Sequence, residues 1–290
     1  MKKLDPDNQL FNELQSNPPD WWKTLVNDKD AYIDIRKDNY IDVYFNGGNL
    51  IRELKFKGTG YSGKIHYKYL LPKKAEYIEF DFHNQSIDIA NKEVKLLPLN
   101  NLDKDALKRI KDNISIYHPA NSEKGIQAKF VKNTGFFLDS EFAYNYNGIL
   151  RVDLVWIDTS SKKIILVELK TMGDKRLYTN EIHDQLKKYH DFATSFTDKI
   201  TEYYIKVYEI KKKLNLLSSS LKNIQSLKGY TLETKPLLIF GDCEQKWIDN
   251  SAKDINNRIQ GVAVGAYYFG KPNYCCDIIS KPKEGNRYKF

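Results

Sequence analysis

Two apolar runs joined by a polar turn limit what this chain can become, because RVDLVWI (residues 151–157) and KIILVELK (163–170) carry Asp153, Glu168 and Lys170 inside otherwise apolar strands. A charge in such a place is costly unless it is paired or bound to metal. Folded as a hairpin turning around Asp158 to Lys162, the runs set Ile157 opposite Ile164, Trp156 opposite Ile165 and Asp153 opposite Glu168. Directly opposed residues share a face with Cβ atoms roughly 5 Å apart, near enough for two carboxylates to hold one divalent ion. Lys170 lies two residues beyond Glu168 and so on the same face. Hard oxygen ligands point to Mg²⁺ or Mn²⁺, and no His and Cys cluster offers a zinc alternative.

The flanking segments add candidates of their own. After the hairpin, EIHDQLKKYHDFATSF reads as a helix in which Gln185 and Tyr189, four apart, share a face. Before it, EKGIQAKFVKN reads as a helix and FFLDSEFAYNY as a strand. Glu123 opens that helix with Gln127 on its polar face and Ile126 and Phe130 on its packed side. Glu123 is a candidate further metal ligand, although a Glu near a helix N-terminus is also favoured by the helix dipole, and Glu141 on the strand competes for the same role. Arg151 shares the face of Asp153 and could grip a phosphate or pair with Glu141 or Asp158. Lys175 and Arg176 fall in the loop that follows, free to grip a substrate backbone or to be solvated, whereas His183 and His190 read as surface or satisfied residues. Residues 198–216 extend the helical region with a strongly charged face, and PLLIFGD and GVAVGAYYFG read as strands flanking a helix at 252–259.

Asp153, fourteen further residues, then Glu168-Leu169-Lys170 resembles the motif of the PD-(D/E)XK nuclease superfamily, with Val152 in place of the motif's proline. QLKKY, containing Gln185 and Tyr189, is similar to the QxxxY helix of RecB-like members. The resemblance covers roughly residues 122–270. It implies an α/β (mixed α+β) fold, with a restriction-endonuclease-like core of a mixed central sheet flanked by helices. It also implies a Mg²⁺-dependent nuclease in which Asp153 and Glu168 bind the metal, Lys170 assists the attacking water, and Gln185, Tyr189 and Arg151 shape the substrate groove, with Gln185 and Tyr189 alternatively bracing the metal site from the side. Nucleic acid is the implied partner, DNA before RNA, in restriction or anti-phage defence or in DNA repair. Double-strand cutting would call for a homodimer or a partner protein of a defence system. The rival reading is a non-catalytic nucleic-acid-binding or scaffolding protein on the same fold.

The resemblance does not reach the N-terminal half, residues 1–117, which we separate from 118–290 at the Pro-containing stretch around Tyr117, His118 and Pro119. There AYIDIR, YIDVYF, LIRELKF and GKIHYKYL alternate apolar and polar residues between turn sequences, so an antiparallel meander with one solvated face is expected. YIEFDF and SIDIA read as two further strands and Asp103 to Asp112 as a helix capped by Asn101 or Asp103. The role of this half is open between substrate recognition, assembly and regulation; residues 31–99 contain no phosphate-cradling glycine loop. Lys and Arg outnumber Asp and Glu by 46 to 38, an excess that would favour a polyanion but that lysine-rich usage alone can produce. An odd count of three cysteines, Cys243, Cys275 and Cys276, fits a reduced cytosol. No apolar run approaches the length of a membrane span, so the expectation is a soluble cytoplasmic protein with no membrane partner.

Overall fold

The computed structural model of the chain describes residues 4–58, 60–70, 86–88, 93–96, 104–145, 148–270 and 287–288. It has two compact units, one reaching to Ala128 and taking in Ile210–Leu216, the other formed by Lys129–Glu209 with the residues from Leu217 onward.

The first unit opens on helix α1 (Gln9–Ser16), where the Asn8 side chain accepts the Leu10 N–H at 3.0 Å and Leu10, Phe11 and Leu14 are buried. Trp21 and Trp22 form part of a second helix, α2 (Asp20–Val26), and are buried with Leu25. Strands β1 (Ala31–Arg36), β2 (Tyr40–Phe45), β3 (Gly48–Lys57) and β4 (Gly60–His66) then make an antiparallel meander in chain order. Its tight turns place Asp38 and Asn39, then Asn46 and Gly47, at positive φ, the geometry whose twist matches paired strands. Gly47 has a packing reason as well, since a Cβ there would lie 2.6 Å from that of Lys124. Two short strands, β5 (Ser86–Asp88) and β6 (Glu93–Leu96), extend the sheet in the order β1-β2-β3-β4-β6-β5. YIEFDF, Asn101 and Asp103 lie outside the described residues. Helix α3 (Lys104–Tyr117) runs past the expected end at Asp112 because Ile110 and Ile114 continue the buried stripe begun by Leu107.

The expectation of a solvated outer face fails on the first two strands. Asp34 is fully buried, and Arg36 and Asp42 nearly so. They are satisfied by each other: Arg36 reaches Asp42 at 3.2 Å, Asp34 at 3.3 Å and the Tyr44 hydroxyl at 3.0 Å, while Lys211 reaches Asp34 at 2.8 Å. The Glu53 N–H, at a left-handed residue where the β2–β3 register shifts, donates to Asp42 at 2.8 Å. Alternation in sequence cannot tell a solvated polar face from one covered by a distant complementary charge.

Helix α4 (Glu123–Thr134) begins in the first unit and ends in the second. Gln127, expected on a polar face, is buried, because Gly125 to Ala128 are all buried and the helix has no solvated stripe at that level. Strands β7 (Phe137–Asn145), β8 (Ile149–Asp158) and β9 (Lys163–Thr171) form an antiparallel meander. Helices α5 (Glu181–Ser195), α6 (Thr197–Lys213) and α7 (Ser219–Lys222) lie between β9 and β10 (Thr231–Cys243), and α8 (Gln245–Ile259) between β10 and β11 (Gly265–Gly270). Both of those connections are long enough to join parallel strands, and β9, β10 and β11 are parallel. With β12 (Arg287–Tyr288) the sheet order is β12-β11-β10-β9-β8-β7. The β9–β10 register shifts between Glu233 and Leu237, around Pro236, which has no N–H to give a ladder. Leu186 and Ile182 of α5 and Ile248, Ile255 and Ile259 of α8 pack with Leu238, Phe240 and Tyr268 into one core. The chain is thus a mixed α/β protein with an antiparallel sheet and a mixed sheet flanked by helices.

Candidate functional site

The β8–β9 ladder pairs Asp158 with Lys163, Ile157 with Ile164 and Trp156 with Ile165, and continues to Leu154 with Val167. The next step in that register brings Asp153 to Glu168. There the Asp153 carboxylate replaces a ladder bond, accepting the Leu169 N–H at 2.9 Å. On the other side, β7 pairs Ser140 with Leu154 and Phe142 with Val152, so the intervening register step sets Glu141 toward Asp153. Glu141 itself has φ of 53°, a left-handed conformation costing a non-glycine residue about 1 kcal/mol or more.

Glu168 is the hub. It is buried beside Lys170 at the centre of the sheet, and Lys170 donates to its Oε1 in a short contact. Gln185 Nε2 donates to the same oxygen at 2.6 Å, and the Tyr189 hydroxyl lies within hydrogen-bond reach of Oε2 and of the Arg151 carbonyl. The two α5 residues reach one carboxylate because their spacing of four stacks them on the face turned to the sheet. Burial, then the negative charges of Glu168 and Asp153, push the Tyr189 phenol well above its usual value, so it remains a donor.

Burial also drives the Asp153 carboxyl well above the usual carboxylate range; Glu168 adds to this, while the Leu169 N–H and the Lys170 ammonium pull the other way and Glu141 adds a further push. A folded-state pKa above the unfolded one means that the native state holds the proton more tightly. The stability from this group is fully present below the ordinary Asp value near 4 and is lost as pH rises through the raised folded value. Asp153→Asn, which never ionises, should therefore raise the unfolding free energy of the metal-free protein at neutral pH by on the order of 0.5–2 kcal/mol. Chemical denaturation in chelator at pH 4 and pH 8 checks this, and a gain no larger at pH 8 than at pH 4 would contradict it.

The loop after β9 supplies a residue that sequence reasoning missed. Asp174 approaches Lys170 at 3.9 Å and is gripped by Arg176 through Nε at 2.9 Å. Burial raises the Asp174 carboxyl, but the Arg176 hydrogen bonds outweigh it and leave it below its usual value. The available signal was the spacing of four from Lys170 in KTMGD. Arg176, weighed as a backbone grip, is thereby committed to Asp174. Arg151 is mostly exposed and pairs with Glu141 at 3.5 Å, one of the alternatives left open for it. His190 is satisfied by the Thr234 carbonyl at 3.1 Å. Glu123 is exposed in the first turn of α4, in the part assigned to the first unit, while Asp153, Glu168, Lys170, Gln185 and Tyr189 all belong to the second.

No family model, curated protein or solved structure matches this chain. Among the described residues no group of three or more His, Cys, Asp or Glu is arranged to hold a metal. Two adjacent carboxylates still fit Mg²⁺ or Mn²⁺, since such ions are commonly held by one or two carboxylates with water and substrate phosphate completing the shell. Nor is any helix among the described residues long and apolar enough to cross a membrane.

Proposed function

We propose that the chain is a metal-dependent nuclease of the PD-(D/E)XK type, hydrolysing phosphodiester bonds, DNA before RNA. The observation that carries this reading is the convergence of Lys170, Gln185 and Tyr189 on the Glu168 carboxylate, with Asp153 at the neighbouring register position. A cluster of charges this deep in a sheet is costly for stability alone. Strained and destabilising arrangements of this kind concentrate where chemistry is done.

Asp153 and Glu168 would hold the ion, whose chemistry is to polarise a phosphoryl oxygen and to make its bound water more acidic. Tyr189 and Gln185 fix the Glu168 oxygens so that the carboxylate does not turn away from its task. Lys170 holds the attacking water or neutralises the charge that grows on the phosphoryl oxygens as the bond to water forms. Asp174, 3.9 Å from that ammonium, helps to orient it. A setting in restriction or anti-phage defence, or in repair, comes from the family resemblance, and the neighbouring genes discriminate between them.

The test is incubation of the purified protein with duplex DNA, single-stranded DNA and RNA in Mg²⁺ or Mn²⁺. We expect cleavage of at least one substrate by the wild type and none by Glu168→Gln. Intact substrate in every condition, or cleavage that survives Glu168→Gln, would reject the reading. The second reading is a nucleic-acid-binding protein on the same fold without catalysis. Calorimetry that detects duplex binding but no Mn²⁺ uptake would select it.

A further inference from the structure

Within the first unit, α2 and the turn after it face α3 across an open groove of about 550 Å³ lined by Lys23, Thr24, Asn27, Asp28, Lys104, Leu107, Lys108 and Lys111. Its size falls in the range of small-ligand sites, roughly 300–1,000 Å³. Among the described lining residues four ammonium groups meet one carboxylate, and that carboxylate, Asp28, is already bonded to the partly buried Lys111. Among the described residues Lys23 and Lys108 pair with exposed acids of their own helices, Asp20 and Asp112, which are not among the groove's lining residues. Such solvent-exposed pairs are worth little and exchange readily for a better anion.

The α3 lysines are spaced so that they work against the helix. Lys104 and Lys108 are four apart and Lys108 and Lys111 three apart, on one stripe, where like charges destabilise a helix. Ammonium groups with three rotatable donors suit phosphate oxygens as point charges. Among the described residues no aromatic ring lines the groove, so none of them would stack on a base.

We propose that this groove is a phosphate site. It takes the phosphates of a nucleic-acid strand or the phosphate tail of a free nucleotide, by charge and without reading a base. This stands apart from the proposed nuclease reading, and its test is run without metal so that the two can fail separately.

The full chain in chelator would be titrated with a fluorescent single-stranded oligonucleotide and, separately, with inorganic triphosphate. We expect K104E/K108E to weaken binding by at least ~10-fold at low salt and, for the strand, to lower the salt slope by about 1.4. K104Q/K108Q should fall between it and the wild type, which guards against a folding defect in the reversal. Weakened triphosphate binding alone assigns the site to a free nucleotide; weakened oligonucleotide binding supports a strand. Binding of neither probe, binding of both unaffected by K104E/K108E, or an equal loss from reversing the exposed Lys246 and Lys253 of α8 would overturn the proposal.

Discussion

Lys170→Met is expected to depress metal-dependent cleavage by about 10²–10³-fold while leaving Mn²⁺ uptake intact or tighter. Lys170 is 1% exposed, and its ammonium is bonded to the Glu168 oxygen, to the Leu169 carbonyl at 3.2 Å and, more distantly, to Asp174. Without the ammonium, Glu168 keeps Gln185 and Tyr189 as donors, so its position should hold. The carboxylate would also lose a competitor for the ion. A group that only filled space would change folding and metal affinity together, and methionine preserves most of the lysine stem. Isothermal titration with Mn²⁺ beside a gel-based cleavage assay separates the outcomes. If uptake and cleavage disappear together, Lys170 is holding the site rather than acting in the reaction.

The second large effect belongs to the other unit and does not depend on catalysis. Lys211→Met should lower stability by about 3–5 kcal/mol, the usual cost of removing one member of a buried ion pair. The change removes an ammonium 2.8 Å from the Asp34 carboxylate, while the Arg36 guanidinium lies 3.3 Å from Asp34 and 3.2 Å from Asp42. Burial already pushes the Asp42 carboxyl upward despite the Arg36 charge beside it, so added negative charge is poorly tolerated. The double variant Asp34→Asn with Lys211→Met should recover a good part of the loss, because it removes both charges together. Urea unfolding followed by tryptophan fluorescence would read this through Trp21 and Trp22 of the same unit. A Lys211→Met cost below about 1 kcal/mol would mean that Asp34 is satisfied without it.

The strands and helices of the second unit were largely legible because their signals are local. Period-two alternation in 151–157, the turn chemistry at 158–162 and the apolar stripe of α5 each fix structure within a few residues. The hairpin register needed nothing more, since one correctly placed turn determines every later pair, and Trp156 does face Ile165. The parallel placement of β10 beside β9 is a different matter, as the two strands are about 60 residues apart in the chain.

By itself the sequence determined which residues stand near one another along β8, β9 and α5, and hence that Asp153, Glu168 and Lys170 would meet. Only tertiary structure decided what each charge is bonded to. It made Gln185 and Tyr189 donors to Glu168, paired Arg151 with Glu141, brought Asp174 near Lys170, and placed Lys211, 177 positions away in the chain, against the buried Asp34. The physical reason is range. Hydrophobic period and turn geometry act over a few residues, whereas the partner of a buried charge is whichever opposite charge the completed fold carries to within about 4 Å, and sequence distance does not limit that choice.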